Sequence, residues 1–495
     1  MPKVELNSIV KNVADMLPEA MSLDVLRSAK IMPVSIENDV LTVAAASFDA
    51  YSKAQLLGAA MGLPVETEIY PENEILDALH ALYDMRSGVA DEAARNMEGI
   101  DDIDDLSRED VLSDSIDVPV IKLVNGLFVD AIKQRATDIH MEPYENEVLI
   151  RFRIDGVLQD RMRLPRTHQA PLTSRIKVMA KMDIAEHFTP QDGRIGITAG
   201  GRHVDIRVGL VPTQHGERIA MRILDKGHGL LTLGDLGMEE RERGVMESLI
   251  ANPHGMILFT GPTGSGKTTS LYAILQALAK PTINVITVED PIEYDLPGVA
   301  QIQVNEKAGV TFAGALRSIL RQDPDIVMIG EMRDYDTAHI GVQASLTGHL
   351  VLSTLHTNDS ISAIIRLVDM GIEPYLAASC MIGTIAQRLA RRLCPHCRKE
   401  DAAPQMMAKQ GIKKVYRPAG CNKCNDTGYY GRLGLYEQFV ITEGIREAIA
   451  AGEPVSKLRE SARLNGFRTL WEIGLQAVGA GKTSPEELMR VTGED

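Results

Sequence analysis

The chain contains a complete phosphate-loop pattern between a short apolar segment and a segment with helical spacing. Its glycines let successive backbone N–H groups turn toward the β- and γ-phosphates of a nucleotide, and the start of the following helix adds partial positive charge. Lys267 supplies a point charge, and the Thr268 hydroxyl is a ligand for Mg²⁺. The pattern predicts that ATP and Mg²⁺ bind at Gly261, Pro262, Thr263, Gly264, Ser265, Gly266, Lys267, Thr268 and Thr269.

Carboxylates follow two further apolar segments, as nucleotide hydrolysis requires. The segment 325–331 reads DIVMIGE and ends in Glu331, which we expect to lie beside Mg²⁺ at the carboxyl edge of a parallel sheet. The segment 288–293 reads VEDPIE, and within it Glu293 is the best candidate to polarise the attacking water. Each acid taken alone would also fit a solvated loop charge, so the prediction depends on their joint position after strands of one sheet.

A histidine and several arginines could complete the site. His356 ends the segment HLVLSTLH, where its ring could hydrogen-bond to the γ-phosphate or to the water, although a histidine at such a position more often has a structural role. Phosphoryl transfer also needs cations beyond Lys267, and arginine binds phosphate bidentately. From spacing alone, a surface ion pair is the alternative for each of the candidates Arg207, Arg222, Arg317, Arg321 and Arg333.

Four of the five cysteines form two CxxC pairs. Two such pairs can supply four thiolates to a tetrahedral Zn²⁺ with no open position for water. We therefore predict a structural zinc site that stabilises a small subdomain and takes no part in catalysis, formed by Cys394, Cys397, Cys421 and Cys424. A redox-active CxxC is the alternative, although one pair would be sufficient for it.

Apolar segments that alternate with helical ones after residue 230 are typical of a parallel sheet covered on both faces. The predicted strands are MILFT at 256–260, NVITVED at 284–290, DIVMIGE at 325–331 and HLVLSTLH at 349–356. Residues beyond about 440 have mostly helical spacing.

The earlier part of the chain has a different pattern. The spacing of 119–143 predicts a helix, and 147–154 and 203–208 read as alternating strands, which together indicate an α+β module. A strand-like run at 40–45 lies among segments of helical spacing and indicates a smaller α/β module.

These patterns divide the chain into three folded domains and one linker. The predicted fold class is α/β and multidomain, with a P-loop NTPase (RecA-like) parallel-sheet core preceded by an α+β domain and a small N-terminal α/β domain. The acid-rich text between the first two domains has the composition of a solvated linker. The predicted boundaries are 1–84 for the N-terminal domain, 85–117 for the linker, 118–230 for the second domain and 231–495 for the P-loop domain, which includes a zinc-binding tetracysteine subdomain at 394–432.

The bulk composition argues against several classes of protein. A chain of 495 residues is too long for one domain, and no segment approaches the ~20 consecutive apolar residues that a membrane-spanning helix needs. The N-terminal text has no apolar core with a cleavage site, so we expect no secretion signal and a cytoplasmic location. The net charge of −16 argues against nucleic acid as a partner, because phosphate-backbone binding needs an excess of Lys and Arg.

The motifs together resemble the superfamily of secretion and pilus-assembly ATPases. The resemblance rests on GPTGSGKTT, ITVEDPIEY, LRSILRQDPDIVMIGEMRD and ASLTGHLVLSTLHTND, and it runs from about Val118 to the C-terminus. Upstream, SRIKVMAKMDIAEHFTPQDGRI and GERIAMRILDK are similar to the second N-terminal domain of the type II secretion ATPases, or E proteins. The tetracysteine element is shared by E proteins and pilus-extension ATPases and is absent from typical retraction ATPases. The resemblance therefore favours a type II secretion ATPase over a type IV pilus extension ATPase.

The resemblance implies a homo-hexamer with ATP bound between a PAS-like second domain and the P-loop domain. Within it, Glu293 would be the catalytic glutamate, Glu331 the metal-associated acid, and Arg207 and Arg222 the arginines that reach the phosphates. The implied function is an ATP-hydrolysing motor that powers pseudopilus assembly for type II protein secretion across the outer membrane.

The resemblance also implies partners in the inner membrane. The N-terminal domain would dock on the cytoplasmic domain of a bitopic platform protein, and the motor would act with a polytopic platform protein, so the chain would be peripheral to the membrane. Two other functions remain compatible with the motifs. One is an ATP-gated scaffold with little turnover, and the other is a DNA-translocating ATPase, which would need a basic channel surface.

Overall fold

The computed structural model describes most of the chain as two compact units, Met1–His228 and Gly229–Asp495. The predicted linker 85–117 lies outside the described residues. Among the described residues, no helix combines the length and the apolarity that a membrane span requires. The described residues are 26, 29–37, 40–46, 50–61, 63–71, 74–76, 78–79, 118–199, 202–225 and 231–493.

A three-stranded sheet is formed near the N-terminus. Its elements are β1 (Ile31–Glu37), β2 (Val40–Ala45), α1 (Tyr51–Met61) and β3 (Val65–Ile69). β1 pairs antiparallel with β2, and β2 pairs parallel with β3 through the crossover helix α1. The run 40–45 that reads as a strand in the sequence is β2, and its Leu41 and Val43 side chains are fully buried.

The second module is a six-stranded antiparallel sheet packed against two helices. Its elements are α2 (Val118–Lys133), β4 (Ala136–Pro143), β5 (Glu147–Ile154), β6 (Val157–Pro165), α3 (Gln169–Ala180), β7 (Gln191–Ala199), β8 (Arg202–Thr213) and β9 (Gly216–Asp225). The strand order is β6-β5-β4-β9-β8-β7. Phe128 of α2 and Leu172 of α3 share one core with Ile139 and Ile206 of the sheet. The α+β character and both strand predictions agree with this arrangement.

The predicted helix 119–143 is wrong in its C-terminal part. α2 ends at Lys133, Arg135 has a φ of 57°, and β4 begins at Ala136. In β4, Ile139 and Met141 are buried, whereas the intervening His140 is only partly buried. This two-residue alternation is the periodicity of a strand. The predicted helix was too long because the strand follows almost directly after a segment with helical apolar spacing.

The C-terminal unit contains a seven-stranded sheet in the order β12-β11-β13-β14-β10-β15-β18. The strands of this unit, including those of a separate two-stranded sheet, are β10 (Gly255–Thr260), β11 (Val285–Glu289), β12 (Ala300–Gln303), β13 (Ile326–Ile329), β14 (Leu350–Leu355), β15 (Met381–Leu393), β16 (Lys399–Ala402), β17 (Lys414–Arg417) and β18 (Tyr429–Val440). Within the seven-stranded sheet, neighbouring strands are parallel except for the pair of β15 with β18. The parallel sheet predicted from four apolar segments is therefore confirmed.

Helices cover both faces of this sheet. They are α4 (Glu240–Ile250), α5 (Lys267–Leu278), α6 (Phe312–Ile319), α7 (Tyr335–Leu346), α8 (Ser360–Asp369), α9 (Pro374–Cys380), α10 (Gln405–Ala408), α11 (Glu443–Ala450), α12 (Val455–Leu464), α13 (Leu470–Gly479) and α14 (Pro485–Thr492). In β10, Met256 and Leu258 enter the core on one face, and Ile257 and Phe259 enter the core on the other. All six residues of β10 are buried, which explains why this strand reads as an unbroken apolar run.

Three strands of the sheet were not expected from the sequence. They are β12, β15 and β18, and the long antiparallel pair of β15 with β18 closes one edge. β16, α10 and β17 lie in an insertion between these two strands, and we call the insertion the tetracysteine unit (residues 394–428). The helices α11 to α14 follow, in agreement with the helical spacing beyond residue 440.

Candidate active site

Four neighbouring parallel strands end at one edge of the central sheet and bring the sequence motifs together. Their order along the edge is β11, β13, β14 and β10. β11 leads to the segment of Glu293, β13 to Glu331, β14 to His356, and β10 to the P-loop (residues 261–269). Because the carboxyl ends of parallel strands share one edge, four segments that are distant in sequence meet there.

The P-loop turns sharply against β15. Gly261, Gly264 and Gly266 have φ values of 144°, 79° and 89°, a region that glycine adopts far more readily than other residues. A Cβ atom on Gly261 would lie 2.6 Å from the Gln387 carbonyl oxygen, so a side chain would also clash at this position. The Ser265 hydroxyl is buried and has no hydrogen-bond partner among the described residues. The loop therefore offers an unsatisfied polar group and a helix N-terminus to an anion.

Lys267 is buried within the P-loop. Its ammonium donates to the carbonyl oxygens of Gly261 at 2.6 Å and Pro262 at 3.1 Å. Burial, together with the positive charge of Arg388, lowers the pKa of Lys267 to about 8, and the nearby Glu331 carboxylate acts in the opposite direction. A phosphate would give this ammonium an anionic partner and would raise its pKa.

Glu331 and His356 lie side by side at the ends of adjacent strands. The Glu331 side chain is 13% exposed, and one of its oxygens lies 2.6 Å from Nη2 of Arg333. Its other oxygen lies 3.8 Å from Nε2 of His356. The structure thus brings Glu331, His356 and Lys267 to one place, with Arg333 as a solvent-facing partner of the acid.

A hydrogen-bond network that the sequence did not reveal holds the segment of Glu293. Glu289 ends β11 with only 3% exposure and accepts hydrogen bonds from the Tyr272 hydroxyl and from Thr287 Oγ1. The Tyr272 hydroxyl accepts the backbone N–H of Glu293 at 3.2 Å. Gln301 Nε2 donates to Glu289 at 3.0 Å. Glu289 therefore stabilises the turn that carries Glu293, because it holds the Tyr272 hydroxyl that accepts the Glu293 backbone N–H.

Threonine side chains hold the segment of His356 against its neighbours. The Thr260 hydroxyl at the end of β10 accepts the backbone N–H of Thr357 at 2.8 Å, and the two hydroxyls lie 2.6 Å apart. Thr354 Oγ1 donates to the Gly330 carbonyl oxygen at 2.7 Å. Residues on both sides of His356 are therefore bonded to the strands that precede the P-loop and Glu331.

β15 supports the P-loop from the side and carries two polar residues that the sequence analysis missed. Gln387 is 1% exposed and accepts a hydrogen bond from Ser270 Oγ of α5 at 3.0 Å. Arg388 donates through Nη2 to the Asn358 carbonyl oxygen at 2.8 Å. Burial lowers the pKa of Arg388. No local pattern marks these residues, because only the parallel pairing of β15 with β10 brings them to the sheet edge that carries the P-loop.

The arginine candidates lie in both units. Arg207 and Arg222 are directly opposite each other on β8 and β9 of the second module, and therefore share one face of that sheet. Arg222 donates through Nε to Asp138 at 3.2 Å and remains 56% exposed. In the C-terminal unit, Arg317 and Arg321 are exposed at and just after the end of α6.

The four paired cysteines converge in the tetracysteine unit. Their sulfur atoms all lie within 4.8 Å of one another, and the distances are 3.9 Å for Cys394 to Cys421, 3.8 Å for Cys397 to Cys424 and 3.7 Å for Cys421 to Cys424. Four sulfurs bound to one zinc at ~2.3 Å in a tetrahedron are roughly 3.8 Å apart. The backbone N–H of Gly428 also donates to the Cys424 sulfur at 3.2 Å. The donor set and its spacing fit a structural zinc ion.

Comparisons with known proteins identify the family. Residues 114–490 match the family described as type II/IV secretion system protein. Residues 1–89 match the family described as MshEN domain. Together these matches extend over nearly all of the chain.

Individual relatives agree with these matches. The chain is 52% identical to type II secretion system protein HxcR of Pseudomonas aeruginosa over an alignment of 393 residues. This alignment covers 79% of this chain and 81% of the relative. It is 50% identical over 394 residues to type II secretion system ATPase E of Vibrio cholerae, with 78% of each chain covered. The crystal structure of the pilus retraction motor PilT with bound ADP matches 74% of this chain and 96% of its own, with a TM-score of 0.52 and 26% identity. The chain therefore belongs to the type II/IV secretion system protein family and, within it, to the type II secretion E proteins.

Proposed function

We propose that this protein is an ATP-hydrolysing hexameric motor that powers pseudopilus assembly for type II protein secretion across the outer membrane. The observation that carries the ATPase part is the row of P-loop, His356, Glu331 and the segment of Glu293 along one sheet edge. The secretion part rests on membership of the family and on the names of its relatives.

Nucleotide binding would exchange contacts within the P-loop for contacts with phosphate. Lys267 would leave the carbonyl oxygens of Gly261 and Pro262 for the β- and γ-phosphates, and the backbone N–H groups at the start of α5 would donate to the same anion. The exposed Thr268 hydroxyl and the Glu331 carboxylate would hold Mg²⁺, which neutralises charge on the transferred phosphate when bound. Glu331 would then exchange its ion pair with Arg333 for the metal side of the site.

Hydrolysis further needs an oriented water and cations at the developing charge. Glu293 lies on the turn held by Tyr272, where its carboxylate would polarise the water. His356 would hydrogen-bond to the γ-phosphate or to that water. Arg207 and Arg222 would bind phosphate oxygens from the second module, so that turnover would depend on both units of the chain.

The partners proposed for the motor follow from the family. The N-terminal domain would dock on the cytoplasmic domain of a bitopic inner-membrane platform protein, and the ring would act with a polytopic platform protein. Binding to these partners would keep a cytoplasmic protein peripheral to the inner membrane. The tetracysteine unit would hold one Zn²⁺ as a structural element.

The ATPase proposal is tested with two substitutions in purified full-length protein. Lys267→Ala should abolish both nucleotide binding and turnover, because the buried cation is the main charge partner of the phosphates. Glu331→Gln should lower kcat by ~100-fold or more while nucleotide still binds, because it removes charge from the metal side only. Glu447→Gln, an exposed acid on α11, serves as the matched control and should leave kcat unchanged. Wild-type turnover in the Glu331→Gln variant would show that the site is assigned wrongly.

A further inference from the structure

Glu437 is a buried carboxylate that lies outside all the motifs of the candidate site. It is on β18, opposite Ala386 of β15, and is 3% exposed. One of its oxygens accepts the Ser360 backbone N–H at 2.8 Å and the Ser360 hydroxyl at 2.6 Å. The other oxygen accepts the Leu470 backbone N–H at 2.9 Å. Both oxygens of this buried acid are therefore committed to the backbone of other elements.

These contacts join the first turns of two helices. Ser360 is the first residue of α8, and Leu470 is the first residue of α13. Helix N-termini carry partial positive charge and unsatisfied N–H groups, so two helix dipoles are directed at one carboxylate. Burial raises the pKa of Glu437, whereas its hydrogen bonds to Ser360 and Leu470 act in the opposite direction.

On the Ser360 side, this junction is connected to the sheet edge that carries the P-loop. Residues 356–359 connect β14 to Ser360, and this connection contains His356. Thr357 is hydrogen-bonded to Thr260 just before the P-loop, and Arg388 binds the Asn358 carbonyl oxygen. A shift of Ser360 would therefore move the segment that holds His356 beside Glu331.

The Leu470 side leads to the tetracysteine unit. Leu470, Ile473 and Val478 of α13 pack in one core with Met407 and Val415 of that unit. Just after α13, the Gly481 carbonyl oxygen accepts a hydrogen bond from Arg398 at 2.5 Å. Movement of the tetracysteine unit would therefore be transmitted to α13 and to its first backbone N–H group.

We propose that Glu437 is a positioning residue that couples the His356 segment of the nucleotide site to the helix supporting the tetracysteine unit. This proposal rests on the proposed ATPase function, because the segment it positions is part of that site. Glu437 is hydrogen-bonded to Ser360 and Leu470, and its charge also attracts the guanidinium of Arg388, so it acts on the site through these neighbours. It fixes the position of the first turn of α8 relative to the first turn of α13, and through α8 it fixes the position of the His356 ring.

The first test separates positioning from general stability. In Glu437→Gln, the side-chain amide offers only one acceptor oxygen, so either Ser360 or Leu470 loses the acceptor of its buried N–H. We expect kcat to fall on the order of tenfold while the nucleotide Kd stays within about twofold, because the hydrogen bonds of Glu437 go to Ser360 and Leu470 rather than to the P-loop. Glu487→Gln is the matched control. Glu487 is a similarly buried acid of the C-terminal unit that binds Arg391 and Arg490, and loss of its charge should lower stability without lowering kcat.

A milder variant keeps the test informative if Glu437→Gln folds poorly. Ser360→Ala removes one of the three donors and leaves both backbone contacts, so it should reduce kcat less than Glu437→Gln does. The double variant should be no slower than Glu437→Gln alone, because both changes act through the same contact. A kcat at the wild-type value in Glu437→Gln, or a double variant in which the two effects add fully, would overturn the proposal.

Amide hydrogen exchange gives a readout that does not depend on turnover. Addition of a non-hydrolysable ATP analogue to the full-length wild type should change protection both at 356–360 and at 470–473. In Glu437→Gln the change at 356–360 should remain, and the change at 470–473 should be lost. An equal change at 470–473 in both proteins would overturn the coupling. Wild-type protein that shows the coupling but no hydrolysis would instead remove the proposed ATPase function.

Discussion

Lys267 shows at the scale of one residue why the P-loop is ready for an anion. Its ammonium is buried and donates to two neutral carbonyl oxygens, so the charged form has weak compensation. That environment lowers the pKa of Lys267 to about 8, close to the pH at which the protein would work. A bound phosphate would restore the charge, so nucleotide binding and protonation of Lys267 should be linked.

This linkage predicts a pH dependence of nucleotide affinity. Below pH 8 the free protein already carries the Lys267 proton, and above about 8 binding must take it up. Affinity should therefore fall as the pH rises above this value. Calorimetric titrations at pH 8.5 in two buffers of different ionisation enthalpy should detect uptake of up to about one proton per site. The same titrations at pH 7 are the control and should detect much less uptake, whereas equal values at the two pH values would contradict the linkage.

The sequence predicts the position of a functional residue when a local pattern, such as a preceding apolar strand, marks it. The P-loop and Glu331 each follow an apolar strand, so their position at the sheet edge could be predicted. Tyr272, Arg388 and Glu437 could not be found in this way. Tyr272 is an aromatic residue in an apolar helical face, and the other two lie on strands whose pairing places them only after the chain has folded.

At the scale of elements, helix α5 does more than present the P-loop. Its Tyr272 lies one turn beyond the loop and connects Glu289 at the end of β11 to the backbone of Glu293. The helix that follows the P-loop therefore also holds the acidic turn. This contact keeps two parts of the site in a fixed relation through Tyr272, which lies outside both motifs.

Tyr272→Phe should therefore weaken both the fold and the catalytic turn. The substitution removes the hydroxyl from between a buried carboxylate and a backbone N–H, which should cost about 1–3 kcal/mol of stability. We expect a lower kcat as well, since the turn that carries Glu293 loses its anchor. Tyr429→Phe is the control, because it removes a buried hydroxyl that bonds to Ser484 in the C-terminal part of the unit. Urea unfolding and steady-state turnover of both variants measure the effect, and equal loss of kcat in both would contradict it.

The outcome of strand prediction depended on burial. β10, β13 and β14 are buried along their whole length and read as apolar runs. β15 was missed because Gln387, Arg388 and Arg391 interrupt its apolar text, each with a partner supplied by the fold. The helix predicted over 119–143 ran into β4 because no glycine or proline separates the two elements, and Arg135 makes the turn with a positive φ.

At the scale of the whole molecule, the tetracysteine unit predicts the metal content of the protein. Elemental analysis of reduced, unchelated protein should find about one Zn²⁺ per chain, because the four thiolates saturate a tetrahedral ion. Cys397→Ser or Cys421→Ser should remove most of the metal and lower the temperature of unfolding. Cys380→Ala is the control, since this buried thiol lies in the core of the parallel sheet and should leave the zinc in place. A stoichiometry near zero in the wild type would remove the zinc assignment.

The proposed ring predicts how turnover should depend on assembly. A cyclic ring joins one surface of a subunit to a different surface of the next, so it closes only when enough copies are present. The ATPase rate per chain should therefore rise with protein concentration, and rise further with the cytoplasmic domain of the platform protein and acidic lipid. A rate that stays near zero under every condition would favour the alternative of an ATP-binding scaffold. Lack of stimulation by nucleic acid would count against a DNA-translocating enzyme.

The antiparallel pair of β15 with β18 has a consequence for how this protein could change over evolution. The ladder continues to Leu393 opposite Tyr429, so the chain leaves the sheet and returns to it at adjacent positions. The residues between Leu393 and Tyr429 therefore form one long hairpin loop of the sheet. The entropic cost of closing such a loop grows only slowly with its length. A different small fold could therefore replace the insertion without altering the register of β15 with β18, provided that it still covers the face of α13 that packs against Met407 and Val415.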